Sequence, residues 1–228
     1  QYQIDESFFD RIDTEEKAYW LGFLSADGYV GKYDVGCELQ RRDRLHLRKL
    51  LRSIQSEHKI VDRERPGSQL VRGLRKVSNV KMSSKRLADA LIAVGVVRAK
   101  SPILKPVDDI FLPESLRRHY WRGLVDGDGS ISYITTTQKW ALSLVGTKAI
   151  TKGVVSFLNA SGIETRATPF YMKTTAYTHK VGLSGRFLVS KAIRLLYGDA
   201  TMYLSRKKKL ADKILEESNE QKVSSKSQ

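Results

Sequence analysis

AYWLGFLSADGYV, residues 18–30, and HYWRGLVDGDGSI, residues 119–131, follow one pattern. Both read Tyr-Trp, a variable residue, Gly, two apolar residues, a second variable residue, then a small residue, Asp and Gly. The matched acids Asp27 and Asp128 stand 101 residues apart, too far for a solenoid repeat and suited to a compact half-domain. In each copy an apolar run stops at Asp-Gly, as a helix end does. Gly22 with Ala26, and Gly123 with Gly127, are small residues one helical turn apart, so each helix offers a face another backbone can approach closely. Packed side by side, the two helices would bring Asp27 and Asp128 together. A carboxylate at a helix C-terminus opposes the helix dipole, and two adjacent carboxylates repel. A hard divalent cation offsets both penalties, so the duplicated acids point to a metal-binding site.

Working outward, each copy leads into the same series of patterns. Asp13 is expected to cap the first helix, with Glu16 as its capping-box partner, and Pro113-Glu114-Ser115 opens the second. Strand-like stretches follow at 29–32 and 35–40, and at 130–135 and 140–145. Helical periodicity then appears at 44–54 and 147–160. Further strands are expected at 59–65 and 79–83, and at 164–171 and 177–183, with helices at 85–94 and 186–196. The order α-β-β-α-β-β-α thus occurs twice, which predicts an α+β fold of two pseudo-two-fold-related repeats with antiparallel sheets and helices on one face. The halves span 1–97 and 113–217, joined by a linker at 98–112. A final basic helix is expected at 203–216, and the polar residues 218–228 are expected to be a disordered tail.

The charge indicates the partner. Forty Lys and Arg against 25 Asp and Glu give a net +15, a balance that favours a polyanion such as nucleic acid. There is no apolar run of the roughly 20 residues a membrane span needs. The stretch QYQIDESFFDRID has no secretion-signal character, and Cys37 stands alone, so an intracellular protein is expected. DGDGSI at 126–131 resembles the start of an EF-hand loop, but Ile131 and Thr137 occupy the places of its essential Gly and Glu. His46, His58, His119 and His179 lack metal-ligand spacing.

WLGFLSADG (Trp20–Gly28) and WRGLVDGDG (Trp121–Gly129) resemble the nine-residue signature of the LAGLIDADG homing endonucleases. Two copies in one chain resemble the monomeric, pseudo-symmetric branch. Ser25 departs from the first acid of the signature, whereas the last acid is intact in both copies. The resemblance implies a fold in which two sheets form a DNA-binding saddle with the motif helices between them. It implies Mg²⁺ (with Mn²⁺ or Ca²⁺ able to take the same sites) held by Asp27 and Asp128 and by the main chain of Ala26 and Gly127. It implies cleavage of one phosphodiester per strand of a long, non-palindromic DNA duplex, leaving short 3′ overhangs. Lys100 and Lys207 match the family's basic residues near the scissile phosphate, and Gln40, followed by Arg41, matches a water-organising place. An intron-RNA maturase, or a regulator that binds DNA without cutting it, is the alternative on the same scaffold.

Exposed strand positions are the expected reading heads. In the first half these are Lys32, Tyr33, Glu38, Gln40, Arg41, Arg63, Arg65, Arg72, Arg75, Lys76 and Lys81. In the second they are Ser132, Tyr133, Thr135, Gln138, Lys139, Ser143, Arg166, Thr168, Tyr171, Lys173, Tyr177, His179 and Lys180. The first set is rich in Arg, the second in hydroxyls and aromatics, which suggests an asymmetric target.

Overall fold

In the computed structural model, residues 2–66, 73–96, 103–172 and 178–224 are described, with side chains to 220. The first half runs α1 (Glu15–Asp27), β1 (Gly28–Val30), β2 (Val35–Gln40), α2 (Arg44–Ser53), β3 (Val61–Pro66), β4 (Leu74–Met82) and α3 (Lys85–Ala93). The second runs α4 (Arg117–Asp128), β5 (Gly129–Ile134), β6 (Lys139–Gly146), α5 (Lys148–Ala160), β7 (Phe170–Tyr171), β8 (His179–Ser184) and α6 (Arg186–Tyr197). A last helix, α7, covers Ser205–Ser224. The strands form two four-stranded antiparallel sheets of matching order, β1-β2-β4-β3 and β5-β6-β8-β7.

The motif helices lie at the centre, α1 because its middle carries no charged side chain and α4 because the charges it buries find partners. Every residue of α1 from Ala18 to Ala26 is buried, as a helix apolar all round must be. In α4 the run from His119 to Asp126 is buried, with Arg122 and Asp126 inside it. The two helices meet through their glycines. A methyl group on Gly22 would collide with the Tyr120 carbonyl oxygen, and one on Gly123 with the Tyr19 carbonyl oxygen. One on Gly127 would collide with the Ala26 side chain. These contacts follow each other in the same direction along both helices, so α1 and α4 run parallel and their C-terminal ends coincide. β1 and β5 start on the next residue, so the sheets leave the helix pair at one point.

Several boundaries differ from the sequence expectation. Thr14, not Asp13, caps α1: its backbone is extended and its Oγ1 accepts from the Lys17 N–H at 3.2 Å. Asp13 instead pairs with the Lys17 ammonium at 2.9 Å. β4 begins at Leu74 and not at 79, because it pairs with β3 as far as Pro66↔Leu74, where the exposed charged residues give no hydropathy alternation. β7 is only two residues long. The expected tail is part of α7 as far as Ser224. Contacts from the second half hold it: Trp140 Nε1 donates to Glu217 Oε2 at 2.8 Å, Arg186 donates to the Glu217 carbonyl, and Arg194 Nη2 donates to Asn219 Oδ1 at 3.0 Å. From the expected linker, Leu104, Val107 and Leu112 are buried. The Leu104 carbonyl accepts from Thr147 Oγ1 at 2.6 Å, and Val107 N donates to Tyr120 Oη at 3.2 Å. Among the described residues no helix is long and apolar enough to cross a membrane.

Candidate catalytic centre and nucleic-acid interface

Asp27 and Asp128 are the last residues of the two parallel helices. A Cβ on Gly127 would lie 3.5 Å from Asp27 Oδ2, so the Asp27 carboxylate sits beside the residue that precedes Asp128. Asp27 is half-buried and Asp128 exposed. Both carboxylates act electrostatically on the Lys207 ammonium, which places all three charges in one neighbourhood. Ala26 and Gly127 immediately precede the two acids, so their main-chain oxygens lie at the same helix ends. Among the described residues no three His, Cys, Asp or Glu side chains cluster. A cation here would therefore take two carboxylates, main-chain oxygens, water and substrate oxygens. That donor set fits Mg²⁺, which favours oxygen and keeps several waters.

Behind the acids lies a buried polar cluster that joins the halves. Asp126 is fully buried. Its carboxylate accepts from Tyr19 Oη at 2.8 Å, Tyr197 Oη at 2.7 Å and the Leu204 N–H at 2.7 Å. Burial pushes the Asp126 carboxyl up, opposed by the Lys207 charge and these donors. Tyr19 Oη also meets His46 Nε2 at 2.9 Å. Since the tyrosine gives its proton to Asp126, the imidazole carries hydrogen on Nε2. Burial, with Lys49, Arg206 and Lys207 nearby, drives His46 down to about 3, so it is neutral. At the other end of the helix pair, Arg122 donates to Glu15 Oε1 at 2.6 Å and to the carbonyls of Met202 and Leu196, each at 2.8 Å. Burial would raise Glu15, but the N–H groups of Met202 and Thr201 and the Arg122 charge hold it below its usual value.

The signature pairs are related by the pseudo-dyad but are not chemically equal. Tyr19 of α1 reaches Asp126 of α4. Tyr120 of α4 reaches Ser25 of α1, in the equivalent places. Ser25 Oγ donates to the Leu21 carbonyl at 2.7 Å. One half thus puts a carboxylate where the other puts a hydroxyl.

Lys207 is 2% exposed. Its Nζ donates to the carbonyls of Val125, Asp126 and Gly129 at 2.6, 2.7 and 2.6 Å. Burial lowers it to about 8, against the pull of Asp126. Lys100, Arg72, Lys173 and Tyr177 lie outside the described residues. Gln40 is exposed at the end of β2, and Arg41, in the turn after it, pairs with Asp62 at 3.1 Å.

The registers sort the other expected contacts by face, because directly paired residues share a face and successive residues alternate. On the first sheet Glu38, Gln40, Arg63, Arg65, Arg75 and Lys81 share the face turned away from the core. Lys76 does not: its partner Glu64 lies on the core-side face. Lys32 and Tyr33 are exposed in the β1–β2 turn, where the ammonium lies 5.0 Å from the ring centroid. Arg65 pairs with Glu38 at 2.9 Å and Lys81 with Asp34 at 2.8 Å. This face carries an open groove of about 820 Å³ that also takes in Tyr29, His58 and Asn79, of which the sequence expectation included none. Tyr29 and Asn79 were legible only through strand alternation.

On the second sheet Ser132, Lys139, Ser143 and Lys180 lie on the outer face, with Ser130, Ser184 and Phe170 as unexpected neighbours. Tyr133, Tyr171 and His179 are on the core-side face: Tyr133 packs on Trp140 and Tyr171 on His179, at centroid distances of 5.2 and 5.7 Å. Thr135 and Gln138 are exposed in the β5–β6 turn, and Arg166 and Thr168 are exposed before β7.

No protein-family model matches the sequence, and no curated protein matches it. Solved structures match its fold. It is similar to the homing endonuclease I-WcaI bound to its DNA recognition sequence, with TM-score 0.56 and 13% identity over 82% of this chain and 81% of that one. It is similar to the LAGLIDADG meganuclease I-AabMI bound to uncleaved DNA, with TM-score 0.54 and 11% identity over 90% and 91%. It is also similar to the N-terminal LAGLIDADG domain of DUF199/WhiA, with TM-score 0.51 and 13% identity over 90% and 93%. At these identities the likeness is one of fold.

Proposed function

From a chain with the LAGLIDADG homing-endonuclease fold, both halves on one polypeptide, we propose a site-specific, divalent-metal-dependent endonuclease of double-stranded DNA. The protein acts as a monomer on a long asymmetric site. It hydrolyses one phosphodiester on each strand and leaves short 3′ overhangs. The observation that carries this reading is the convergence of Asp27 and Asp128 at the ends of two parallel helices in a chain of net charge +15.

The basic surface gathers the duplex through its phosphates. The outer faces of the sheets supply side chains for base edges in the groove. The glycine contacts between α1 and α4 hold the two carboxylates together, so no reorganisation is needed when the phosphates arrive. A bound Mg²⁺ supplies Lewis-acid polarisation and lowers the pKa of its water. Gln40, exposed at the end of β2, is the candidate to orient water in the first half, whereas the neighbouring Arg41 guanidinium is paired with Asp62. In the second half β6 ends in Val145-Gly146, followed by Thr147, without a long polar side chain. The two half-sites therefore differ in their chemistry.

The test is incubation with a randomised duplex library and Mg²⁺. Double-strand breaks should collect at one sequence. Asp27→Asn and Asp128→Asn should each reduce cleavage by on the order of 10³-fold while binding in Ca²⁺ persists. Selective binding with no cutting in Mg²⁺ or Mn²⁺ would replace this reading with the maturase or the regulator.

A further inference from the structure

We propose that Lys207 is a positioning residue: its ammonium clamps the last turn of α4 to the start of α7, fixes the direction of the Asp128 carboxylate, and touches no substrate atom. This rests on the reading of Asp128 as a cation ligand.

An ammonium has three hydrogens and no more. All three of Lys207 go to carbonyls of one helix end, at 2.6, 2.7 and 2.6 Å. The acceptors are Val125, Asp126 and Gly129, so they lie on both sides of Asp128 in the chain. A cation at a helix C-terminus complements the dipole, and Lys207 adds a second donor to the Val125 carbonyl, which already accepts from the Gly129 N–H. The backbone closes the same loop from the other direction. Leu204 N donates to Asp126 Oδ2 at 2.7 Å, and Lys207 N donates to the Leu204 carbonyl at 2.9 Å. The segment from Leu204 to Lys207 is thus tied to one turn of α4 at both its ends. Arg206 in between pairs with Asp43 of the first half at 2.9 Å, which fixes the clamp against both halves. A phosphate contact from Lys207 would have to break one of these bonds and draw the ammonium out of a site where it is 2% exposed.

The first test uses the wild-type protein. The Lys207 side-chain ¹⁵N resonance should show slowly exchanging hydrogens, and it should not move when a bound duplex is added in Ca²⁺. A shift on DNA binding, or a scalar coupling to ³¹P, would make Lys207 a substrate contact and overturn the proposal. The second test is Lys207→Met, which keeps length and removes the donors. In the free protein, amide exchange should accelerate at Asp128 and Gly129 and not at Asp27. In the DNA complex, Mn²⁺ binding followed by electron paramagnetic resonance should weaken by about tenfold, as loss of an outer-shell partner does. DNA affinity should hold, and saturating Mg²⁺ should restore the rate. A lowered melting temperature with unchanged Mn²⁺ affinity would mean a structural role only, against the proposal. A lower rate at saturating metal with unchanged Mn²⁺ affinity would also go against it. Should the variant not fold, the wild-type resonance decides. Should the wild type cut no duplex, the endonuclease reading fails, while the exchange data on free protein still report on the clamp.

Discussion

The outer face of the first sheet presents Arg63, Arg65, Arg75 and Lys81 around Glu38 and Asn79. The corresponding face of the second sheet presents Ser130, Ser132, Ser143 and Ser184, with Lys139 and Lys180 as its cations. Strand order and pairing sense are the same in both, and both sheets start one residue after a motif helix. The frame is therefore duplicated and the outer surface is not. The same contrast runs into the core, where Asp126 faces Tyr19 and Ser25 faces Tyr120 in matching positions. Symmetry is kept where the helix backbones touch and lost in the side chains of the outer faces and of the buried cluster.

The strongest way to break this comparison is at the shared frame. Gly22→Leu or Gly123→Leu forces a side chain into the opposing helix backbone, which cannot yield. Each should cost more than about 3 kcal/mol, the upper range for overpacking, and either half should be equally sensitive. Urea denaturation measures both; tolerance of either leucine would show that the helices do not meet as described. The next largest effect should be unequal between halves. Asp126→Ala strips partners from Tyr19, Tyr197 and the Leu204 N–H and leaves Lys207 beside no buried carboxylate, so it should cost roughly 3–5 kcal/mol. Ser25→Ala removes one hydroxyl and should cost about 1 kcal/mol. Equal losses would mean that the substitution in the signature has no structural meaning.

The sequence made the frame readable because duplication exposes backbone constraints. Gly22 and Gly123, with Asp27 and Asp128, recur at one spacing, and the parallel contact between their helices follows from small residues on one face. The polar cluster behind the acids was not readable. Tyr197 and His46 reach Asp126 and Tyr19 across helices far apart in the chain, and no local pattern records such a meeting. Lys207 shows the same limit from another angle. Its place after the second repeat suggested a group facing phosphate, but the fold of α7 decides where its hydrogens go. On the sheets, alternation separates Arg75 from Lys76 only once the register is known; Tyr133 and Trp140 lie on the core-side face for the same reason. The last turns of α7 were missed because helix-breaking and helix-forming polar residues look alike when their anchors, Trp140 and Arg186, come from elsewhere.

Acid should weaken the join between halves through His46. Its folded-state value of about 3 lies below the ordinary 6.5, so the unfolded chain takes up the proton first as pH falls. The stability it contributes is complete above pH 6.5 and is lost as pH falls from there towards about 3. His119, lowered by burial and Arg122 to about 4, acts with the same sign. Between pH 7.5 and pH 5, His46 should account for a loss of roughly 2 kcal/mol. Denaturant midpoints at the two pH values measure it, and His46→Gln, neutral throughout, should flatten the difference. An unaltered pH response in that variant would place the acid sensitivity elsewhere.

The smallest expected effect bears on the unlike faces. Each lysine or arginine that neutralises a phosphate adds about 0.9 to the slope of log affinity against log salt. Arg63 and Arg75 lie on the charged outer face, so Arg63→Ala with Arg75→Ala should lower the slope by roughly 2 and weaken binding to all duplexes alike. Ser132→Ala with Ser143→Ala removes no charge, so the slope should stay while base preference within one half-site relaxes. Anisotropy titrations on matched and single-mismatch duplexes across a salt series separate the two behaviours. If the serine pair changes the slope, or the arginine pair changes preference at single positions without changing it, the division of labour between the halves is reversed.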